Sequence, residues 1–321
     1  MCKKILARLF LLISIVLVGS WESPSFAQAD LTISQYRHAL GYYNPAQAGR
    51  GKEVELTALH NRQWEGIPGA SKSFVVLGSM PVPFGGREQG VGIVLTNETI
   101  GLFTQTELAG QFAYKQAIKS GILSIGLEGA LYNSTFDGTK VKLLDGEGSS
   151  SSDPAIPLTK VGGKTFDLRA GLLFTHPKWY AGLAVRHFLH PKLRFGINHY
   201  IRLLPSYNVV AGYNIEPKGS LFGWYPSAFA LTDGHSYRVD VSIAMSYAGR
   251  FHASLMYRPT VAAGLSFGMK LGSVFASYAF EMPTTSLAQR NWGSHELVLR
   301  YSFPVVRQKK GDTPYKSVRL L

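Results

Sequence analysis

Apolar side chains recur at every second position along most of this chain. Val261, Ala263, Leu265, Phe267 and Met269 alternate with Ala262, Gly264, Ser266, Gly268 and Lys270. Val239, Val241, Ile243, Met245 and Tyr247 alternate with Arg238, Asp240, Ser242, Ala244 and Ser246. Leu123, Ile125, Leu127 and Leu131, and then Leu297, Leu299, Tyr301 and Phe303, repeat the pattern. Period two is the strand period, with one face apolar and the other small or charged. Soluble strands average about five or six residues, whereas a strand that crosses a bilayer needs about 9–11. Many of these runs are of the longer kind. In hydrocarbon every backbone N–H and C=O must find a protein partner, so strands cross only as a closed ring. Charged residues are 17% of the chain, low for a soluble protein, and the 45% that are hydrophobic include only one long apolar run. That excludes a helical membrane bundle and extended disorder. The expected fold class is therefore all-β, a single antiparallel outer-membrane-type barrel.

Fourteen strands are expected, over 54–62, 71–80, 90–97, 105–116, 121–132, 165–175, 178–188, 204–214, 223–231, 236–247, 250–257, 260–270, 272–281 and 292–303. An even count suits a single-chain bacterial barrel. Even-numbered strands are followed mostly by short turns such as His176-Pro177 and Ala248-Gly249, with a longer one expected around Pro81 to Gly86. The long connections, 133–164 above all, follow odd-numbered strands. Outer-membrane barrels put short turns in the periplasm and long loops outside, so strand one starts at the periplasmic side.

The single long apolar run, Leu9 to Val18, follows Lys3, Lys4 and Arg8 and precedes Ser25-Phe26-Ala27. That is the build of a secretory signal peptide, expected over 1–27. The only cysteine, Cys2, lies inside it, so the mature chain is expected to lack disulfides and thiolate sites. Residues 28–53 are expected to be a periplasmic lead-in that folds at or inside the periplasmic mouth, 54–303 the barrel, and 304–321 a basic periplasmic tail. Arg307, Lys309, Lys310, Lys316 and Arg319 of that tail face one acid, Asp312. The tail reads either as solvated chain or as a docking arm for an acidic partner.

Three motifs go beyond generic barrel signals. They are Ser34-Gln35-Tyr36 with Asn44-Pro45-Ala46-Gln47-Ala48-Gly49, then Arg62-Gln63-Trp64-Glu65-Gly66-Ile67-Pro68-Gly69-Ala70, and Gly293-Ser294-His295-Glu296-Leu297 opening the last strand. In this order they resemble the PorP/SprF family of outer-membrane proteins, which belong to the type IX secretion and gliding machinery. Ser71 stands where family members often have Pro. The resemblance implies an outer-membrane, non-enzymatic component with periplasmic or lipoprotein partners from the secretion system, and with a surface adhesin or secreted cargo. Candidate contact residues are Asn44, Pro45, Gly49, Arg62, Gln63, Trp64, Gly66, Gly69, His295 and Glu296. The alternative is a porin or transporter for small or hydrophobic solutes.

Each motif also has a physical reading. Asn44-Pro45 initiates a turn. Gly66, Pro68 and Gly69 force a tight loop beyond strand one, and Trp64 reads as an interfacial anchor or as a partner contact. His295 and Glu296 look like a catalytic pair, yet no third group or metal-ligand spacing joins them. Glu107, Lys115, Glu128, Asp167, Arg169, Arg238, Asp240, Lys270 and Arg300 fall on the expected lumen face. Mutually paired they would fill the bore; unpaired in water they would line a pore. Phosphate-loop, His-Glu-x-x-His and Gly-x-Ser-x-Gly motifs are absent from the sequence, so no catalytic, metal or cofactor site is expected. His187 and His190 are close together but lack further ligands by spacing. The net charge of +13 raises nucleic acid as a partner, which the strand alternation and export signal argue against.

Overall fold

The computed structural model describes residues 30–141, 157–195 and 199–305. The signal-peptide segment and the tail residues Arg307, Lys309, Lys310, Lys316 and Arg319 lie outside the described residues. Fourteen antiparallel strands close into one barrel. They are β1 (Glu53–Arg62), β2 (Lys72–Phe84), β3 (Arg87–Ile100), β4 (Phe103–Ile118), β5 (Gly121–Asp137), β6 (Lys160–Thr175) and β7 (Trp179–Arg186), then β10 (Ser206–Tyr213), β11 (Phe222–Thr232), β12 (Tyr237–Tyr247), β13 (Phe251–Arg258), β14 (Ala262–Leu271), β15 (Val274–Pro283) and β16 (Ser294–Pro304). A separate hairpin, β8 (Lys192–Phe195) with β9 (His199–Arg202), sits between the seventh and eighth barrel strands. The ring closes where β1 pairs with β16, from Glu53 opposite Pro304 to Arg62 opposite His295.

The alternation sets which face each residue takes. Leu127, Leu131, Leu255, Leu265 and Phe267 stand exposed on the outside, while Glu128, Ser124 and Ser266 are buried inside. Trp179, Tyr213, Phe222, Tyr247 and Phe251 are exposed at the strand ends of one rim, an aromatic girdle at a membrane interface. That rim carries the two-residue turns Gly85-Gly86, Lys119-Ser120 and Gly272-Ser273 and is the periplasmic one by the loop-length rule.

Several boundaries differ from the sequence expectation. The turn around Pro81–Gly86 is not long. Pro81 and Pro83 lie in β2, paired to Gly90 and Glu88 of β3, and Gly85 and Gly86 turn the chain at φ 60° and 74°. Strands β3 and β5 run past their expected ends. The segment 178–188 stops at Arg186, because His187 takes φ 56° and leaves the ladder. The chain then builds the unexpected hairpin. Leu193, Phe195 and Leu203 pack with Tyr132, Phe103, Phe136 and Val161, so the hairpin covers the outer mouth beside β4–β6.

The largest correction concerns residues 28–53. Their described part is not confined to a lead-in at or inside the periplasmic mouth; residues 30–50 run the length of the bore and fill it. From Asp30, beside the outer ends of β7 and β10, the chain descends through 3-10 turns and one α-helical turn, Leu40–Tyr43, and leaves at the periplasmic rim to start β1. Ile33, Tyr36, Ala39, Tyr43 and Ala46 are essentially inaccessible and pack on Leu59, Val75, Leu173, Phe229 and Val298 of the wall. The reason is hydrophobic: six large apolar or aromatic residues in one short segment have no other burial site, and a lumen lined by Gly, Ser and Ala leaves them room.

Candidate functional site

The plug is held by three kinds of contact. Close backbone approach is the first. Asn44 caps the 3-10 turn Pro45–Gln47, its Oδ1 accepting from the Ala46 amide at 2.9 Å, and its Nδ2 donates to the carbonyls of Leu172 at 3.0 Å and Leu183 at 3.2 Å. A Cβ on Gly171 would sit 2.1 Å from Asn44 Oδ1, and one on Gly126 would sit 2.1 Å from the Ala46 nitrogen. Gly49 turns at φ 57° against Gly90 of β3, and Lys115 Nζ donates to the Gly49 carbonyl. Thus the Asn-Pro-Ala-x-Ala-Gly motif is a key seated in a slot of wall glycines. Asn44 and Pro45 are buried and present nothing to an outside partner.

The second kind is wall side chains that donate to plug carbonyls. Arg238 reaches Ile33 at 2.8 Å, Asn208 reaches Tyr43 at 3.0 Å, Gln111 reaches Gly41 at 2.6 Å, and Asn61 and Gln63 reach Thr32 at 2.8 and 3.0 Å. These satisfy backbone groups that a helix or sheet would otherwise pair.

The third is charge. Arg169 donates to Glu107 and Glu128, each at 2.6 Å, and to Asp167 at 3.1 Å. Arg186 pairs with Asp30 of the plug at 2.7 Å and donates to the Tyr42 carbonyl. Asp240 holds Arg238 and Arg258, both at 2.6 Å, and Arg258 reaches Glu281 at 3.0 Å. Burial alone would push the Asp30 carboxyl up, but Arg186 and then His187 outweigh it and hold it well below the usual carboxylate range. Burial would also lower His187, whose Nδ1 lies 3.0 Å from Asp167 Oδ2; its hydrogen bonds to Asp167 and Asp30 win, and its pKa is raised. Eight of the nine charges expected on the lumen face point inward and bind each other or the plug; Lys270 stands exposed near the end of β14.

His295 and Glu296 do not form a pair. Neighbours on a strand face opposite ways: His295 Nδ1 meets the Tyr278 hydroxyl on the outside at 2.6 Å. Glu296 points inward and accepts from the Ser34 and Gln35 amides, both at 2.8 Å, and from Asn61 Nδ2 at 3.1 Å. The Ser-Gln-Tyr motif is thus anchored by the Glu of the last motif. Among the described residues no three His, Cys, Asp or Glu side chains are grouped as metal ligands.

The middle motif builds the outer rim. Arg62 pairs with Glu65 at 2.8 Å, and Ser71 Oγ donates to Glu98 at 2.6 Å. Glu65 exchanges backbone hydrogen bonds with Gly293 and Trp292, each at 2.8 Å, joining the loop after β1 to the loop before β16. Trp64 is half-buried at φ 46° with its amide on Ser294 Oγ at 3.2 Å. Gly66 (φ 96°) lies under Trp292, and Gly69 (φ 77°) accepts from the Gly101 amide at 2.8 Å. Trp292, 77% exposed, was not singled out from sequence; a lone Trp in a loop carries no periodic signal. The plug residues Asp30, Ile33, Tyr42 and Tyr43 were also missed, although an apolar, aromatic-rich segment ahead of strand one is a signal that it needs burial.

A family model described as type IX secretion system membrane protein PorP/SprF matches residues 25–301. Comparison with curated proteins yields no match. Among solved structures, the chain is similar to the Ralstonia pickettii toluene transporter TbuX, at 11% identity over 84% of this chain and 94% of that one, with TM-score 0.49. It is similar to the Acinetobacter baumannii outer membrane protein Omp33, at 8% identity over 79% and 100%, with TM-score 0.44. Outer membrane phospholipase A from Escherichia coli shares 12% identity over 77% and 92%, with TM-score 0.33.

Proposed function

The chain belongs to the PorP/SprF family of type IX secretion system membrane proteins, and from that premise we propose that it is a docking platform rather than a conduit. It sits in the outer membrane, binds periplasmic or lipoprotein partners of the secretion and gliding machinery, and supports export of an adhesin or other cargo to the cell surface. It performs no chemistry of its own. The observation that carries this reading is the filled bore: residues 30–50 occupy the lumen, packed on its wall and tied to it by the buried Arg186–Asp30 pair and by wall side chains that donate to plug carbonyls. A packed, cross-linked interior costs free energy to open and favours a fixed shape, which suits a surface for partners.

The test has two arms. Deletion of the protein should stop cargo from reaching the cell surface while small-solute uptake stays normal. Purified protein in a planar bilayer should show no steady ion conductance and should co-purify with periplasmic lipoproteins. Steady conductance with intact secretion on deletion would support the porin or transporter alternative instead.

A further inference from the structure

The bore is divided by charge. In its outer half the guanidiniums of Arg169, Arg186, Arg238 and Arg258 are each paired with carboxylates. In its periplasmic half Arg37, Arg50 and Arg300 line a cavity of about 330 Å³, and their hydrogen bonds go to neutral groups, with Glu55 near enough to attract Arg50 and Arg300. Arg37 donates to the Tyr225 carbonyl at 2.6 Å. Arg50 reaches Gln47 Oε1 at 3.4 Å and lies 4.7 Å from the centre of the Tyr180 ring. Arg300 donates to Thr57 Oγ1 at 3.1 Å and lies 3.3 Å from His38 Nδ1. Burial, then Arg300 and Arg37, keep His38 well below its usual range, so it adds no charge and no competing proton. Glu55 is the one carboxylate among the described lining residues. All three arginines are half-buried rather than sealed, and Glu55 and Ser79 of the lining sit near the periplasmic ends of β1 and β2.

We propose that this cavity receives a carboxylate-bearing peptide segment presented from the periplasm. A guanidinium fork matches a carboxylate in two parallel hydrogen bonds, and three forks with spare donors against the single Glu55 carboxylate leave a partly desolvated cavity with positive charge in excess. Leu40 and Leu77 also line the space and suit the aliphatic stems of Asp and Glu. A lone inorganic anion would leave most of the volume and that apolar wall uncovered. The inference rests on the docking function in one respect: it takes the partner to be periplasmic.

The experiment uses the full chain in detergent micelles and a short fluorescent oligo-glutamate peptide, with binding read by anisotropy. The peptide should bind, and more weakly as salt rises. Arg50→Gln and Arg300→Gln should each weaken binding by about tenfold, the loss of one charge-assisted contact. Glu55→Gln should tighten it, which keeps the test open should an arginine variant fail to fold. Unchanged affinity in the Arg50→Gln/Arg300→Gln double variant overturns the proposal. So does displacement of the peptide by inorganic phosphate at lower concentration than by unlabelled peptide, which would assign the site to a small free anion. In cells, normal cargo export by a folded double variant that no longer binds peptide overturns the cavity's role but leaves the docking function standing. Normal export after deletion of the whole protein removes the docking function itself.

Discussion

Arg169 is the residue on which the outer half of the bore depends. Its side chain is 1% exposed and touches Glu107, Glu128 and Asp167. Arg169→Ala would take a shared cation from three buried carboxylates, leaving Asp167 to His187, Glu107 to Arg186 and Glu128 to Gln111, and loss of one partner from such a cluster costs about 3–5 kcal/mol. Arg62→Ala removes a pair whose side chains are 43% and 36% exposed and should cost under about 1 kcal/mol. Urea unfolding of both variants in lipid checks the contrast. His187 supplies a pH signature. Its pKa is raised above 6.5 in the fold, so its contribution is complete below that value and is lost as pH rises through the folded pKa. His38 has the opposite sign, being held neutral; its contribution is present above 6.5 and fades as pH falls. The measurement is therefore a difference: the stability gap between wild type and His187→Gln should shrink from acid to mildly alkaline pH. A constant gap would mean that His187 gains nothing from Asp30 and Asp167 by being charged. On the lipid face, Leu265→Arg should cost about 2–4 kcal/mol near mid-membrane. From sequence alone, Ser266→Arg is expected to cost less, since it faces inward. The bore is filled there, with Ser266 8% exposed and its Oγ 2.6 Å from Ser254 Oγ, so an arginine meets overpacking instead of water. Ser266→Ala, which loses one hydrogen bond at about 1 kcal/mol, is the proper inward control.

At the scale of elements, the plug and the wall are written in complementary residues. The Asn-Pro-Ala-x-Ala-Gly motif needs small wall positions, and Gly90, Gly126 and Gly171 provide them. A Cβ on Gly90 would stand 1.9 Å from the Ala48 carbonyl oxygen, so the strand and the plug backbone are in direct contact. Gly126→Leu should unseat the plug's lower end while leaving the strand ladder, whose β5 hydrogen bonds are backbone ones, in place. Limited trypsin digestion reads this as new cleavage after Arg37 or Arg50 in an otherwise folded barrel. Asn44→Ala removes a turn cap and two donors to wall carbonyls and should cost about 1–3 kcal/mol. The motifs themselves were legible in the sequence; their roles were not. Nothing along the chain says that Glu296 holds the Ser34 and Gln35 amides, because 261 and 262 positions separate the partners. His295 and Glu296 looked like a pair for chemistry, and strand geometry sends them to opposite faces.

The whole molecule is a closed cylinder whose outer half holds its buried arginines paired with carboxylates and whose periplasmic half holds arginines in excess. A bore packed in this way should pass no steady current, whereas Gly126→Leu, once its plug is loosened, should show transient openings in the same bilayer recording. Openings in wild type at equal frequency would mean that the plug is not what closes the bore. The two ends differ in build: at the outer end backbone hydrogen bonds knit the loops after β1 and before β16 into a rim, and the periplasmic end leaves Arg37, Arg50 and Arg300 with donors to spare.

The sequence by itself determined the barrel, its strand number and its facing, because alternation is local and hydrocarbon admits no unpaired strand edge. It also determined the family, through motifs that are contiguous in the chain. Strand ends were less secure, since a ladder continues past the apolar run for as long as both neighbours supply backbone, as β3 and β5 do. Only the tertiary structure decided that residues 30–50 fill the lumen, that the lumen arginines are paired with carboxylates in the outer half, and that a basic cavity remains below. Each of these depends on which side chains a closed ring brings face to face across its interior, and that distance is set by curvature and shear, not by position along the chain.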